Sequence, residues 1–379
     1  MEFTMYIDES PYILFVLIYI IFFSIGLFVP IIKPKNTETF YSFKLEKNHL
    51  NGTIGLFLII FGFISYFIGR YTPASLHFVF YLFSYARFIG AFILIFSYTP
   101  YRYIIALAVF LHFTYLIVSS ALFYDLIIWG FFFYMVIELK IQSSFPRKML
   151  ILAIGGVLLM LLQSVKSEYR KEIWDKNNDV TTQSNFEKFV DVTKQRSSDL
   201  EEKEKSNLEH LITRLNTGWI ISCVLVYVPS YQPITNGEVL KEDLKSVFIP
   251  RFLSPNKKSV GGDENRAKFE QFTGRRLGRD TTMRIGVLAD AYINYGYYGG
   301  AILMLLFGLI INIIIQLFKA YFYNSINYLW LFFIFSFTIR MSDFLVILNS
   351  TLKSFIIFLV IRFILEKFIK EKYNPSITN

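Results

Sequence analysis

The sequence predicts an all-α polytopic integral membrane protein of about nine transmembrane helices (up to eleven), with one large external loop that carries amphipathic or re-entrant helices. Three observations lead there. Hydrophobic residues make up 54% of the 379 residues and charged residues only 18%, against roughly 25% charged in a soluble domain. The surplus is aromatic, 42 Phe and 25 Tyr, side chains that suit lipid and headgroup contact. Apolar runs of membrane-crossing length also recur along the chain. Together these exclude an ordinary soluble enzyme, a nucleic-acid-binding domain and a disordered chain. The net charge of +9 suggests an anionic partner, although in a membrane protein much of such charge sets topology. One cysteine, Cys223, leaves no disulfide framework, Cys-based zinc site or iron–sulfur centre, and the four histidines are scattered.

A bilayer core takes about 20 apolar residues per helix. The runs that meet or approach this are 12–32, 53–70, 75–97, 103–119, 122–139, 149–165, 298–318, 327–347 and 352–369, with the fourth and fifth divided at Ser119-Ser120. The first is read as a retained span. Met1–Ser10 carries Glu2, Asp8 and Glu9 without a Lys or Arg, and no small-residue cleavage pattern follows. Lys33, Lys35, Lys44 and Lys47 follow the first span, Arg102 the third, and Lys140, Arg147 and Lys148 the fifth. Lys319 follows the seventh, and Lys367, Lys370 and Lys372 close the ninth. All fall on one side, which the positive-inside rule makes cytoplasmic. The N-terminus is then outside, the C-terminus inside, and the long segment outside. The expected organisation is an N-terminal bundle over 1–165, an external loop over 166–297, and a C-terminal bundle with its tail over 298–379.

The stretch Leu208–Pro229 is apolar enough to be ambiguous, but crossing would move Lys319 and the basic tail outside. It is therefore expected to be interfacial or re-entrant. Leu208, Leu211, Ile212, Leu215 and Trp219 form one stripe at helical spacing, and His210 and Arg214 share the opposite face. That polar face either lies solvated on the bilayer or lines a site.

The loop divides by charge. Up to Asp243 acids and bases balance, with solvated-helix runs such as residues 199–205. From Lys245 to Arg284 bases dominate, including Arg251, Lys257, Lys258, Lys268 and Arg284. An external positive surface calls for an anion. Guanidinium forks match phosphate oxygens, so a diphosphate headgroup fits; a basic loop resting on anionic lipid is the blander alternative. Within Phe248-Ile-Pro-Arg-Phe-Leu-Ser-Pro-Asn-Lys-Lys258, Pro250 and Pro255 favour rigid, non-helical presentation of Arg251.

Before the seventh span, Asp290 and Asn294 stand four apart on one helix face, and Gly296, Gly299 and Gly300 permit a break or a close helix approach. A carboxylate entering the bilayer usually has a purpose. Inside the spans, Arg340 and Asp343 either pair or line a site, and Arg87, near the middle of the third, needs a carboxylate or a phosphate. There is no Gly-rich phosphate loop, HExxH, GxSxG or paired metal spacing, so an ATP-driven pump is not expected and chemistry would run on a lipid-borne donor.

These residues reach a known pattern. The Phe-Ile-Pro-Arg-Phe-Leu-Ser-Pro-Asn-Lys element, then Ala-Asp-Ala-Tyr-Ile-Asn-Tyr-Gly-Tyr-Tyr-Gly before a span, and a late-helix arginine resemble the Wzy-type O-antigen and exopolysaccharide repeat-unit polymerases. Arg251 and Lys257 match the first element, Asp290, Asn294, Gly296 and Gly299 the second, and Arg340 the third. The resemblance implies a metal-independent, cofactor-free membrane glycosyltransferase at the outer face of the bacterial cytoplasmic membrane. Such enzymes move a growing glycan from undecaprenyl diphosphate onto a lipid-linked repeat unit, with a chain-length regulator as an optional partner. It casts Arg251, Lys257 and Arg214 against the departing diphosphate, with Arg284 and Arg340 secondary, and Asp290 as base on the acceptor hydroxyl. Lys258, His210 and Asn294 are further substrate-binding candidates. The alternatives are a polysaccharide ligase, a lipid-linked oligosaccharide flippase, and an acyltransferase using His112.

Overall fold

In the computed structural model of the chain, residues 4–31, 52–121, 123–174, 185–199, 216, 218–249, 262–278, 281–321, 325–336 and 342–373 are described. Among them the secondary structure is helical throughout, with no strand. The chain forms two compact units, residues 1–45 with 216–379, and residues 46–215.

The second of these units contains α1 to α7 of the numbering used below: α1 (Gly52–Tyr71), α2 (Ala74–Ser84), α3 (Ala86–Phe96), α4 (Arg102–Ser120), α5 (Tyr124–Ile141), α6 (Phe145–Trp174) and α7 (Asn185–Asp199). Helices α2 and α3 adjoin at Tyr85 and together make one apolar span, Leu76–Phe96. Glycines bring α1 against α3: a Cβ on Gly90 would lie 2.5 Å from the Gly55 carbonyl oxygen, and one on Gly62 would lie 2.6 Å from the Arg87 nitrogen. Such close approach substitutes dispersion contact for the hydrophobic drive that lipid cannot supply. Around Trp129 the faces of Tyr85, Phe88 and Phe92 stack or tilt at 5.1, 4.4 and 6.2 Å. Helix α6 runs past the expected end of its span at residue 165. Its continuation closes the end of α4, because Arg170 Nε and Nη2 donate to the Ala121 carbonyl at 3.1 and 3.0 Å. Ala121 has the left-handed conformation (φ 56°) that ends a helix and leaves its last carbonyls in need of donors.

The other unit contains α8 (Glu9–Phe28), α9 (Gly218–Tyr227), α10 (Glu238–Phe248), α11 (Asp263–Thr273), α12 (Val287–Tyr321), α13 (Ser325–Phe335) and α14 (Phe344–Tyr373). Its central contact joins α8 to α12. A Cβ on Gly26 would strike the Leu305 carbonyl, one on Gly308 the Phe23 carbonyl, and one on Gly300 the Tyr19 hydroxyl. Polar side chains then bind the end of α8: Asn312 Nδ2 donates to the Gly26 carbonyl at 3.2 Å, and Gln316 Nε2 to the Val29 carbonyl at 3.0 Å. Phe15, Tyr19, Trp219, Phe269, Tyr292 and Phe344 fill the core.

Six helices among the described residues are long and apolar enough to cross a membrane: Glu9–Phe28, Gly52–Tyr71, Leu76–Phe96, Arg102–Ser120, Val287–Phe318 and Phe344–Lys367. The protein is a helical membrane protein. Isolated large apolar residues such as Leu14, Leu17 and Ile21 on α8 are exposed, as lipid-facing positions should be. One expected span is corrected. The run 327–347 is not continuous, because α13 stops at Phe335 and α14 starts at Phe344. Asp343 therefore immediately precedes a helix and is not inside one. The ten-residue α9 is about 15 Å long at 1.5 Å per residue, half a bilayer core, so it does not cross as one straight helix.

Candidate functional site

The motif before the seventh expected span builds a buried polar cluster, and Gly296 makes it possible. With φ 68° and ψ −165° this residue interrupts α12 in a conformation that only glycine takes readily. The break deprives preceding carbonyls of their helical donors, and buried carbonyls need replacements. A turn supplies them: Thr235 N–H donates to the Ile293 carbonyl at 2.9 Å and Gly237 N–H to the Asn294 carbonyl at 3.0 Å. The Tyr19 hydroxyl donates to Gly296 O at 3.0 Å. Asn294 is fully buried. Its Oδ1 accepts from Leu240 N–H at 2.9 Å and Thr235 Oγ1 at 3.2 Å, and its Nδ2 reaches Asp290 O and Oδ1 at 2.9 and 3.3 Å. It thereby caps the first turn of α10 as an N-cap side chain would.

Asp290, 1% exposed, sits one turn earlier. Its Oδ1 meets Lys268 Nζ at 2.9 Å, and its Oδ2 accepts from the Phe344 N–H at 2.9 Å. Asp343 returns the favour, since its Oδ1 accepts from the Gly286 N–H at 3.0 Å, directly before α12. Two helix N-termini are thus cross-capped by each other's carboxylates, where unpaired N–H groups and the helix dipole favour negative charge. Arg284 Nη1 donates to Ser342 Oγ at 2.7 Å, tying the same two segments. Lys268, 15% exposed along its side chain, also reaches Asp243 Oδ2 on α10 at 3.3 Å.

The electrostatics follow from one lysine among three carboxylates. Burial works against the Lys268 ammonium, but Asp290, Asp343 and Asp243 outweigh it and hold the pKa above the ordinary lysine value. Burial also pushes the Asp343 carboxyl up to about 6, with Asp290 adding to the rise while Lys268, the Gly286 N–H and Arg284 oppose it. Within the cluster, then, burial and the neighbouring Asp290 hold one carboxyl above the ordinary carboxylate range. Among the described residues no group of His, Cys, Asp and Glu is placed to hold a metal ion.

Of the sequence candidates, the structure brings together Asp290, Asn294 and Arg284. Arg251, Lys257, Lys258, Arg214, His210 and Arg340 lie outside the described residues. What precedes them is seen: α10 ends at Phe248 and Ile249 is extended (φ −84°, ψ 120°). Lys268 and Asp243 are the members that the sequence did not single out. Lys268 was one base in a run of bases, and nothing in its own neighbourhood distinguishes it.

Compared with known proteins, the chain matches a family model described as a domain of unknown function (DUF8712) over residues 13–370. No curated protein and no solved structure matches it significantly.

Proposed function

We propose that this chain, which belongs to the DUF8712 family, is a membrane-embedded glycosyltransferase that joins undecaprenyl-diphosphate-linked oligosaccharide repeat units into a surface polysaccharide. In this reading it crosses the bacterial cytoplasmic membrane about nine times, with the N-terminus outside, the C-terminus inside and the segment 166–297 at the outer face. The observation that carries the proposal is the Lys268–Asp290–Asp343 cluster. It joins the second polymerase-like element to the beginning of the α14 segment, and its Lys268 comes from the base-rich stretch that also contains Arg251 and Lys257.

Transfer breaks the bond between the donor sugar's anomeric carbon and the diphosphate oxygen, and forms one to the acceptor hydroxyl oxygen. Arg251 and Lys257, with Arg214, Lys258, His210, Arg284 and Arg340 as further contacts, neutralise the charge that develops on the departing lipid diphosphate. The acceptor's proton goes to a carboxylate. Both oxygens of Asp290 are engaged by Lys268, Asn294 and Phe344, whereas Asp343 is tuned near the working pH. Asp343 is therefore the base in this scheme, and Asp290 and Asn294 hold it in place.

The test begins with deletion of the gene in its source organism, followed by gel analysis of surface glycans and lipid-linked intermediates. Single repeat units in place of long polymer are the expected result. Normal polymer that is not attached would make the protein a ligase, units trapped inside the cell would make it a flippase, and an unchanged pattern would end the proposal. Complementation with Arg251→Ala is expected to leave polymer absent, and with Lys176→Ala to restore it; polymer of normal length from Arg251→Ala removes the assigned role.

A further inference from the structure

The geometry points to a binding site for the phosphate of an anionic lipid headgroup at Arg87, within the unit formed by residues 46–215. This site is separate from the glycosyltransferase reading and does not depend on it. Arg87 opens α3 and is 4% exposed. Its guanidinium lies over the rings of Phe63, Tyr66 and Phe88 at 5.5, 5.1 and 5.1 Å. Those faces offer π density to the charge but no acceptor for its hydrogens. Nε and Nη1 are buried and have no hydrogen-bond partner among the described residues. A buried cation with unsatisfied donors is costly, and proteins keep one in a span where it has something to bind.

A second unsatisfied group shares the same rings. His112 Nδ1 is buried without a partner, and its imidazole meets Phe63 and Tyr66 edge-on at 5.0 and 6.0 Å. The position is enforced, because a side chain on Gly62 would collide with the Arg87 backbone. The surroundings point to the ligand. Tyr66 lies five residues, about 8 Å at 1.5 Å per residue, from the end of α1, in the outer part of the hydrocarbon layer, where a phosphate drawn in from the headgroups would reach it. Exposed Arg70 stands at that end, its guanidinium over the same Tyr66 ring at 4.8 Å and its Nη2 donating to the Tyr66 hydroxyl. An acidic phosphate arriving sideways from the bilayer meets Arg70 first. It then supplies the oxygens that Arg87 Nε–H and Nη1–H and the His112 ring require. A membrane-restricted phosphate fits this entry; a free one would have to cross apolar surface to reach it.

The experiment uses the full chain in detergent, stripped of lipid and titrated with phosphatidylglycerol. Retention is read by native mass spectrometry and the shift in unfolding temperature by differential scanning fluorimetry. Diacylglycerol, which lacks the phosphate, and inorganic phosphate are the two control probes. The expected result is retention of phosphatidylglycerol, affinity at least tenfold lower in Arg87→Gln with partial recovery in Arg87→Lys, and no effect from either control probe. Arg70→Gln, at an exposed position where folding is not at stake, should weaken binding several-fold on its own. Equal affinity in the wild type, Arg87→Lys and Arg70→Gln overturns the proposal even if Arg87→Gln fails to fold. So does competition by inorganic phosphate at concentrations similar to the lipid, which would make this a free-anion site.

Discussion

Lys268, largely enclosed, and Arg87, buried, are cations at the heart of one unit each, and their surroundings have nothing in common. Lys268 is held by Asp290 and Asp243 oxygens, and Asp290 in turn accepts backbone and side-chain hydrogens. Arg87 is surrounded by aromatic rings and has donors left over. A satisfied charge network binds elements to one another, and removing one member leaves the others stranded. A caged charge with idle donors contributes little to the fold and keeps its affinity for something else. Burial alone does not separate the two roles; the hydrogen-bond inventory does.

The most damaging substitution should be Lys268→Met. It leaves Asp290, Asp243 and Asp343 without their cation, and loss of one partner from a buried pair costs about 3–5 kcal/mol. Thermal unfolding in detergent should show this as a large drop in Tm, and a variant as stable as wild type would mean that the network does not hold the helices together. Next is Asn294→Leu, which strands the buried Leu240 N–H, whereas the Thr235 hydroxyl keeps the Ile293 carbonyl as acceptor. Roughly 1–3 kcal/mol follows from leaving buried donors unmade, and hydrogen exchange should rise in the first turn of α10.

The third effect depends on pH. Asp343 has a folded pKa of about 6 against 3.8 for the free carboxyl, so the folded state binds this proton more tightly than the unfolded one. Stability from this group is present below about 4 and is lost as pH rises towards 6. The wild type should therefore lose Tm relative to Asp343→Asn across that window. Parallel curves would show that the carboxyl ionises in the native state as freely as in water. Lys268, also shifted upward but in its charged form's favour, keeps its contribution through this window and loses it only above the ordinary lysine range. The smallest effect is expected from Arg87→Met in lipid-free detergent, within about 1 kcal/mol, because an uncompensated buried charge replaced by an apolar chain is often neutral or better. A penalty as large as that of Lys268→Met would erase the distinction between the two cations.

Much of the local chemistry around α12 was legible in the sequence. Asp290 and Asn294 were expected on one face and do bond each other, and the glycines that follow were expected to break or closely pack a helix, as Gly296 and Gly300 do. These are short-range matters of spacing and of the missing Cβ. What the sequence hid depends on distant partners. Lys268 became special only because α11 sets it beside Asp290. Asp343 looked like a span residue because Phe, Leu, Ile and Val flank it so densely that no boundary shows. Arg87 was recognisable as anomalous, yet only the packing shows that aromatic rings, and among the described residues no hydrogen-bond partner for Nε or Nη1, surround it. The grouping of α8 with α12 was also invisible, since an apolar helix bears no mark of which glycine face will receive it.

That last pairing has a consequence for how the protein is made. Tyr19 and its acceptor at Gly296 are 277 residues apart, and Val29 and its donor Gln316 are 287 apart. At synthesis rates of about 5–20 residues per second, α8 waits on the order of tens of seconds for its partner. During that interval it can rely only on its own backbone hydrogen bonds and apolar surface, which an α-helix in lipid provides. Residues 46–215 are synthesised meanwhile and form a unit of their own. The order of birth and the order of packing thus differ: α8 is made well before residues 46–215, yet finds its place only after them.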